Sequence, residues 1–152
     1  FKVEAVEPDD IYGLDVDIFS PCALGAVIND ETIPQLKCDI VAGAANNQLA
    51  DENIHGKVLM DKGILYAPDY AINAGGLINV YNEIDGYDRS RALRQAEGIY
   101  DILKDIFNRA DSEKIPTHLA ANRVAEDRIQ NVGRLKNIHI GHQTGITIER
   151  KK

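Results

Sequence analysis

The chain has 152 residues, 44% of them hydrophobic and 27% charged, and a formal net charge of -7. This suits one globular domain with a sizeable core, and the acidic balance argues against nucleic-acid binding, which needs a basic face. No apolar run approaches the roughly 20 residues of a membrane-spanning helix, no signal peptide is visible, and Cys22 and Cys38 make no disulfide framework, so a reduced, cytoplasmic protein without a membrane partner is expected.

In chain order, the first element is the apolar alternation Phe1–Val6, read as a strand around Val3–Val6. The chain starts at Phe1 without a methionine, and the motifs below favour its being the later part of a longer protein. Further short strands are predicted around Val16–Ser20, Asp39–Ala42 and Ile64–Ala67. All are brief apolar runs with little alternation, as in parallel sheets buried on both faces. Between them, Asp30–Lys37 has an acidic start and a basic end that suit a helix dipole, and Asp51–Lys62 is a second helix ending at Gly63. Alternating strands and helices imply parallel βαβ units.

After the last strand come a Pro-Asp turn, Asn73, the pair Gly75-Gly76 and an amphipathic helix. Beyond Gly86, apolar residues from Leu93 to Ala110 recur at helical spacing and predict one helix over Ser90–Ala110. Thr117 is the expected N-cap of a further helix reaching about Val132, and residues 137–152 read as a weakly strand-like tail. The expected fold is thus α/β: a partial Rossmann-type parallel sheet over residues 1–86, closing helices over 87–132 packed on it or on an absent amino-terminal domain, and a tail over 133–152.

Three strand-end turns carry the functional reading. They are Ser20–Gly25, Ala42–Gln48 and Asp69–Gly76. In a parallel sheet all three fall on the carboxyl edge, where Rossmann-type proteins hold ligands. Small residues leave room for a flat ring, and the amides of Asn46, Asn47 and Asn73 donate and accept, which suits ribose hydroxyls and a carboxamide. A nucleotide and a small polar substrate are the expected ligands. No G-x-G-x-x-G is present, so a bound dinucleotide would need its phosphate loop from upstream of Phe1. The bland alternatives are an Asn-Asn turn, a structural Cys22 with no histidine near it in sequence, and core positions for Leu77 and Val80. Leu77 and Val80 could instead line an apolar side-chain pocket. His139 and His142 have metal-ligand spacing, but Gly141 between them favours a solvated tail. His55 and His118 are expected on helix surfaces, and no metal site or paired carboxylates are expected.

Four phrases, Pro21–Gly25, Asn29–Lys37, Ala42–Leu49 and Tyr66–Val80, together resemble the Glu/Leu/Phe/Val amino-acid dehydrogenases, the leucine dehydrogenases among them most of all. Weaker likeness continues through Gly86-Tyr87 and Ala120–Ile129, so that about residues 4 to 130 are covered. The resemblance implies NAD-dependent oxidative deamination of a branched-chain L-amino acid to its 2-oxo acid and ammonia, in a homo-oligomer. It places Cys22, Ala23 and Ala44 beside the cofactor, Asn46 near the nicotinamide ribose, and Asn73 at the junction of nicotinamide and substrate. Leu77 and Val80 would meet the substrate side chain. Leucine dehydrogenases can carry valine at the Leu77 position, so leucine, valine and phenylalanine stay open as substrates. The family's catalytic lysines and glycine-rich loop have no counterpart here, so no catalytic residue is expected in this chain and the chain alone is expected to be inactive. With strands 1 and 2 of a 3-2-1-4-5-6 sheet missing, the Val16–Ser20 strand would have an unpaired edge and the fragment would self-associate. A binding module that kept the crevice without catalysis is the competing class.

Overall fold

A computed structural model describes residues 3–84 and 86–136. Three two-residue strands form a parallel sheet in sequence order: β1 (Ile18–Phe19), β2 (Ile40–Val41) and β3 (Leu65–Tyr66). Phe19 pairs with Val41, and Val41 with Tyr66. These three residues are buried and form the core with Ile28, Ile33, Leu36, Cys38, Leu49, Leu59 and Ile64. The opposite face is open: Ile18 is 53% and Leu65 37% exposed. The expectation of strands buried on both faces is therefore corrected; one face of the sheet is dry and the other meets solvent.

The crossover from β2 to β3 is helix α1 (Glu52–Asp61). The Asp51 carboxylate caps it, accepting from the Asn53 and Ile54 N–H groups at 2.9 and 3.3 Å. Its chain leaves through Gly63, whose φ of +76° suits a residue without a side chain. Between β1 and β2 the expected Asp30–Lys37 helix is replaced by a single 3-10 turn, Ile33–Gln35. The reason is local. Asn29 Oδ1 accepts from the Glu31 and Thr32 N–H groups, and the Thr32 hydroxyl donates to the Val27 carbonyl at 2.6 Å, so the side chains take the backbone partners a helix would use. Pro34 then supplies no N–H to extend it. The Val3–Val6 strand is also not formed; Val3 is 85% exposed, and an alternation without a neighbouring strand gains no ladder hydrogen bonds.

After β3 the chain is helical: α2 (Asp69–Ile72), α3 (Gly75–Ile84), α4 (Arg89–Glu97), α5 (Ile99–Glu113) and α6 (Thr117–Lys136). The single helix expected over Ser90–Ala110 is two, divided at Gly98. Thr117 lies inside α6 rather than capping it, and the Pro116 carbonyl accepts from the Leu119 and Ala120 N–H groups. Ile106, Ala110, Ala120 and Ala121 make a second small core where α5 crosses α6. The tail from Asn137 onward, with His139 and His142, lies outside the described residues.

Candidate functional site

The three turns at the carboxyl ends of the strands are joined into one structure. Gly43 packs so closely on the turn after β1 that a Cβ there would lie 2.1 Å from the Pro21 carbonyl oxygen. The same carbonyl accepts from the Ala45 N–H at 2.9 Å. Further along, Gly25 sits under the Asn46 and Asn47 carbonyls, and the Ala26 N–H donates to the Asn47 carbonyl at 2.7 Å. Ala26 and Asn47 both adopt left-handed backbone, with φ of 59° and 51°. The turn after β3 joins through a side chain: Asn73 Nδ2 donates to Asn46 Oδ1 at 2.5 Å and reaches the Ala44 carbonyl at 3.4 Å.

Ala44, Asn46, Asn73 and Leu77 surround one open cavity of about 450 Å³, together with Tyr70, Ala74 and Gly76. Cys22 and Ala23 line a smaller hollow next to it, about 150 Å³, with Tyr12 and Phe19 behind them. The Cys22 thiol is exposed and lies 3.4 Å from the Ser20 hydroxyl. That hydroxyl, and then the Ala44 backbone N–H, hold its pKa below the ordinary thiol value. Val80 lines neither hollow. Leu77 is 75% and Val80 56% exposed, so the core reading of this pair is overturned: they stand on the open face of α3. Chemically, the larger hollow offers a carboxamide pair for a planar polar group beside an apolar helix face.

Several residues around the site carry little signal in the sequence. Gln48 is fully buried, and its amide nitrogen donates to the Gly43 and Ala45 carbonyls at 2.7 and 3.0 Å, bracing the second turn. His55 and His118, expected on helix surfaces, are both buried. His55 Nδ1 accepts from the Asp51 N–H at 2.9 Å, a tie that its position four residues beyond an N-cap could have suggested. His118 on α6 packs against Gly56 on α1, a tertiary contact with no local signature. Burial lowers the His118 pKa. The Tyr70 hydroxyl donates to Asn122 Oδ1 at 2.8 Å and fastens the site to α6; burial, then the charges of Glu52 and Asp69, push its pKa up to about 12. Among the described residues no group of three or more His, Cys, Asp or Glu side chains could hold a metal ion.

A family model described as Glutamate/Leucine/Phenylalanine/Valine dehydrogenase matches residues 1–136. The chain belongs to that family. Within the Glutamate/Leucine/Phenylalanine/Valine dehydrogenase family, it is 53% identical over 146 residues to leucine dehydrogenase of Thermoactinomyces intermedius, covering 96% of this chain and 40% of that protein. It is 58% identical over 137 residues to L-tryptophan dehydrogenase of Nostoc punctiforme, covering 90% and 39%. The crystal structure of L-tryptophan dehydrogenase from Nostoc punctiforme superposes with a TM-score of 0.82 at 60% identity, over 83% of this chain and 38% of that one. It shares the Rossmann-type α/β fold of such dehydrogenases. A hetero-hexameric glutamate dehydrogenase from Thermus thermophilus, 19% identical with a TM-score of 0.69 over 91% of this chain and 34% of that one, is alike in fold. The chain thus spans about 40% of the length of its curated relatives.

Proposed function

We propose that this family member is the carboxyl-terminal portion of an NAD-dependent dehydrogenase that oxidatively deaminates a hydrophobic, leucine-like L-amino acid to its 2-oxo acid and ammonia. The observation that carries the reading is the Asn46–Asn73 amide pair set over the same hollow as Ala44 and Leu77. The hollow suits the cofactor. Small Ala44 and Gly76 leave its walls flat, and the paired amides match a carboxamide and a ribose hydroxyl. When bound, NAD supplies a nicotinamide ring that takes up a hydride. Asn73 fixes the ring against the substrate, Asn46 and the neighbouring Cys22 and Ala23 border the cofactor, and Leu77 and Val80 touch the substrate side chain. Relatives named as leucine, tryptophan and phenylalanine dehydrogenases support an apolar substrate.

In this reading residues 1–86 form the cofactor side, residues 87–132 brace it, and the catalytic lysines lie outside this chain. In this reading the whole protein is a cytoplasmic homo-oligomer. As a separate fact, no described helix is long and apolar enough to cross a membrane. The test is an assay of the full reading frame with NAD and L-leucine, L-valine, L-phenylalanine and L-tryptophan. Turnover fastest with L-leucine is expected, and Asn73→Ala should lower kcat/KM about 100-fold, as loss of one orienting hydrogen bond does. Absence of turnover with all four would overturn the reading in favour of a binding module. Turnover by the 152-residue chain alone would overturn the assignment of the lysines.

A further inference from the structure

Tyr70 stands between the Asn73 hollow and α6. It belongs to α2, a single turn of four residues that ends at Asn73, whose N–H donates to the Asp69 carbonyl at 2.9 Å. One turn of helix does not hold itself, because fixing its backbone costs more than so few hydrogen bonds return. The place of Asn73 is therefore set by what α2 is tied to. At its start, the Asp69 N–H donates to the Tyr66 hydroxyl and Asp69 Oδ2 accepts from the Gln48 N–H, both at 3.3 Å, which is long for such bonds. In its middle, Ala71 packs on the small core where α5 crosses α6. The shorter tie is the Tyr70 side chain. Its hydroxyl donates to Asn122 Oδ1 at 2.8 Å, with the His118 carbonyl at 3.3 Å as a second acceptor.

The same side chain lines the hollow beside Ala44, Asn46 and Asn73. Tyr70 is 46% exposed, so packing alone does not fix its ring, and the hydroxyl anchors the far end. That hydroxyl stays a donor at neutral and mildly alkaline pH, since burial, then the charges of Glu52 and Asp69, hold its proton on. Asn73 Nδ2 meets Asn46 Oδ1 at 2.5 Å, so the amide pair depends on where the α2 turn sits. A misplacement of about 1 Å in an orienting group is enough to cost much of the rate of an oriented reaction.

We propose that Tyr70 is a positioning residue of this site: its hydroxyl, anchored on α6, holds the α2 turn so that the Asn73 amide stays over Ala44 and Asn46. The effect passes through Asn73 and not through contact with a ligand. For its consequence on rate, the proposal rests on the dehydrogenase reading.

Tyr70→Phe keeps the ring and removes the donor. In the full reading frame, with L-leucine and per folded enzyme, it should lower kcat about fivefold and leave the KM for NAD within about twofold, because orientation is lost and ground-state binding is not. The decisive arm is a double-mutant cycle. With Asn73→Ala already in place, Tyr70→Phe should add no further loss, whereas a merely structural staple would cost the same factor in either background. Asn122→Leu, which removes the nearer acceptor, should slow turnover in the same direction, and Asn122→Asp, which keeps an acceptor oxygen, should retain the native kcat. A second measurement needs no turnover. In the 152-residue chain, NMR signals of the Asn73 side-chain amide, assigned with Asn73→Ala, should move toward the free-amide position in Tyr70→Phe. Equal losses in both backgrounds, native kcat in Tyr70→Phe, or an unmoved Asn73 amide signal would overturn the proposal. Absence of turnover in the unsubstituted protein overturns the dehydrogenase reading instead, and the Asn73 signal then decides the positioning role by itself.

Discussion

At Gly43 a single methyl group decides whether two turns stay joined. The atoms it would strike belong to the Pro21 backbone and its fused ring, which have no rotamer to yield. Gly43→Ala should therefore force the turns apart and cost roughly 1–3 kcal/mol, the usual range for overpacking, read as a lower urea midpoint. His118 makes a second prediction at this scale. Its pKa is lowered by burial, so the folded chain binds fewer protons than the unfolded one as pH falls. The contribution is fully present above about pH 6.5, the unfolded value, and is lost as pH drops through the lower folded value. Urea midpoints at pH 7 and below should fall more steeply for the native chain than for His118→Gln; equal slopes would refute this. Asn46 and Asn73 were legible in the sequence, because turn chemistry is local and parallel strands bring their ends to one edge. The burial of His118 was not, because it depends on where α1 and α6 cross, and neither was that of Gln48, whose amide folds back on the Gly43 and Ala45 carbonyls.

Among the elements, the junction of α3 and α4 rests on one fully buried amide. Asn82 donates to the Ile78 carbonyl and to Gln95 Oε1 at 2.8 and 2.6 Å, and accepts from Arg91 Nε at 2.5 Å. Arg91 also reaches the Gly86 carbonyl, where the chain turns with φ of +79°. Asn82→Leu should cost about 2 kcal/mol by stranding those partners, and should raise amide exchange in α3 and α4 before the sheet opens. Such a polar latch does not show in a hydrophobic pattern. Apolar runs and helix-end signals placed α1 and α6 and the three paired strands to within a few residues. It failed where other local rules intervened: at Gly98, which divides α4 from α5, and over Asn29–Pro34, where side chains capture the backbone. The Val3–Val6 alternation shows the remaining limit, since a strand is made by its neighbour as much as by its own residues.

For the molecule as a whole, the telling feature is how much apolar surface remains wet. Ile18 on β1 is 53% exposed, and no described strand pairs with the outer edge of β1. Such an edge is a template for another chain. Light scattering should show the 152-residue chain associating as its concentration rises, and Ile18→Lys should shift it toward monomer; a monomer at every concentration would refute the idea. On α3, Leu77, Val80, Tyr81 and Ile84 are all exposed along the side that carries the Asn73 hollow. A guest laid against that helix would be touched from beneath and bathed by solvent from above. Tight small-molecule pockets enclose most of their ligand's surface, so this chain by itself should behave as a shelf and not a socket, holding a flat ring loosely and releasing it fast.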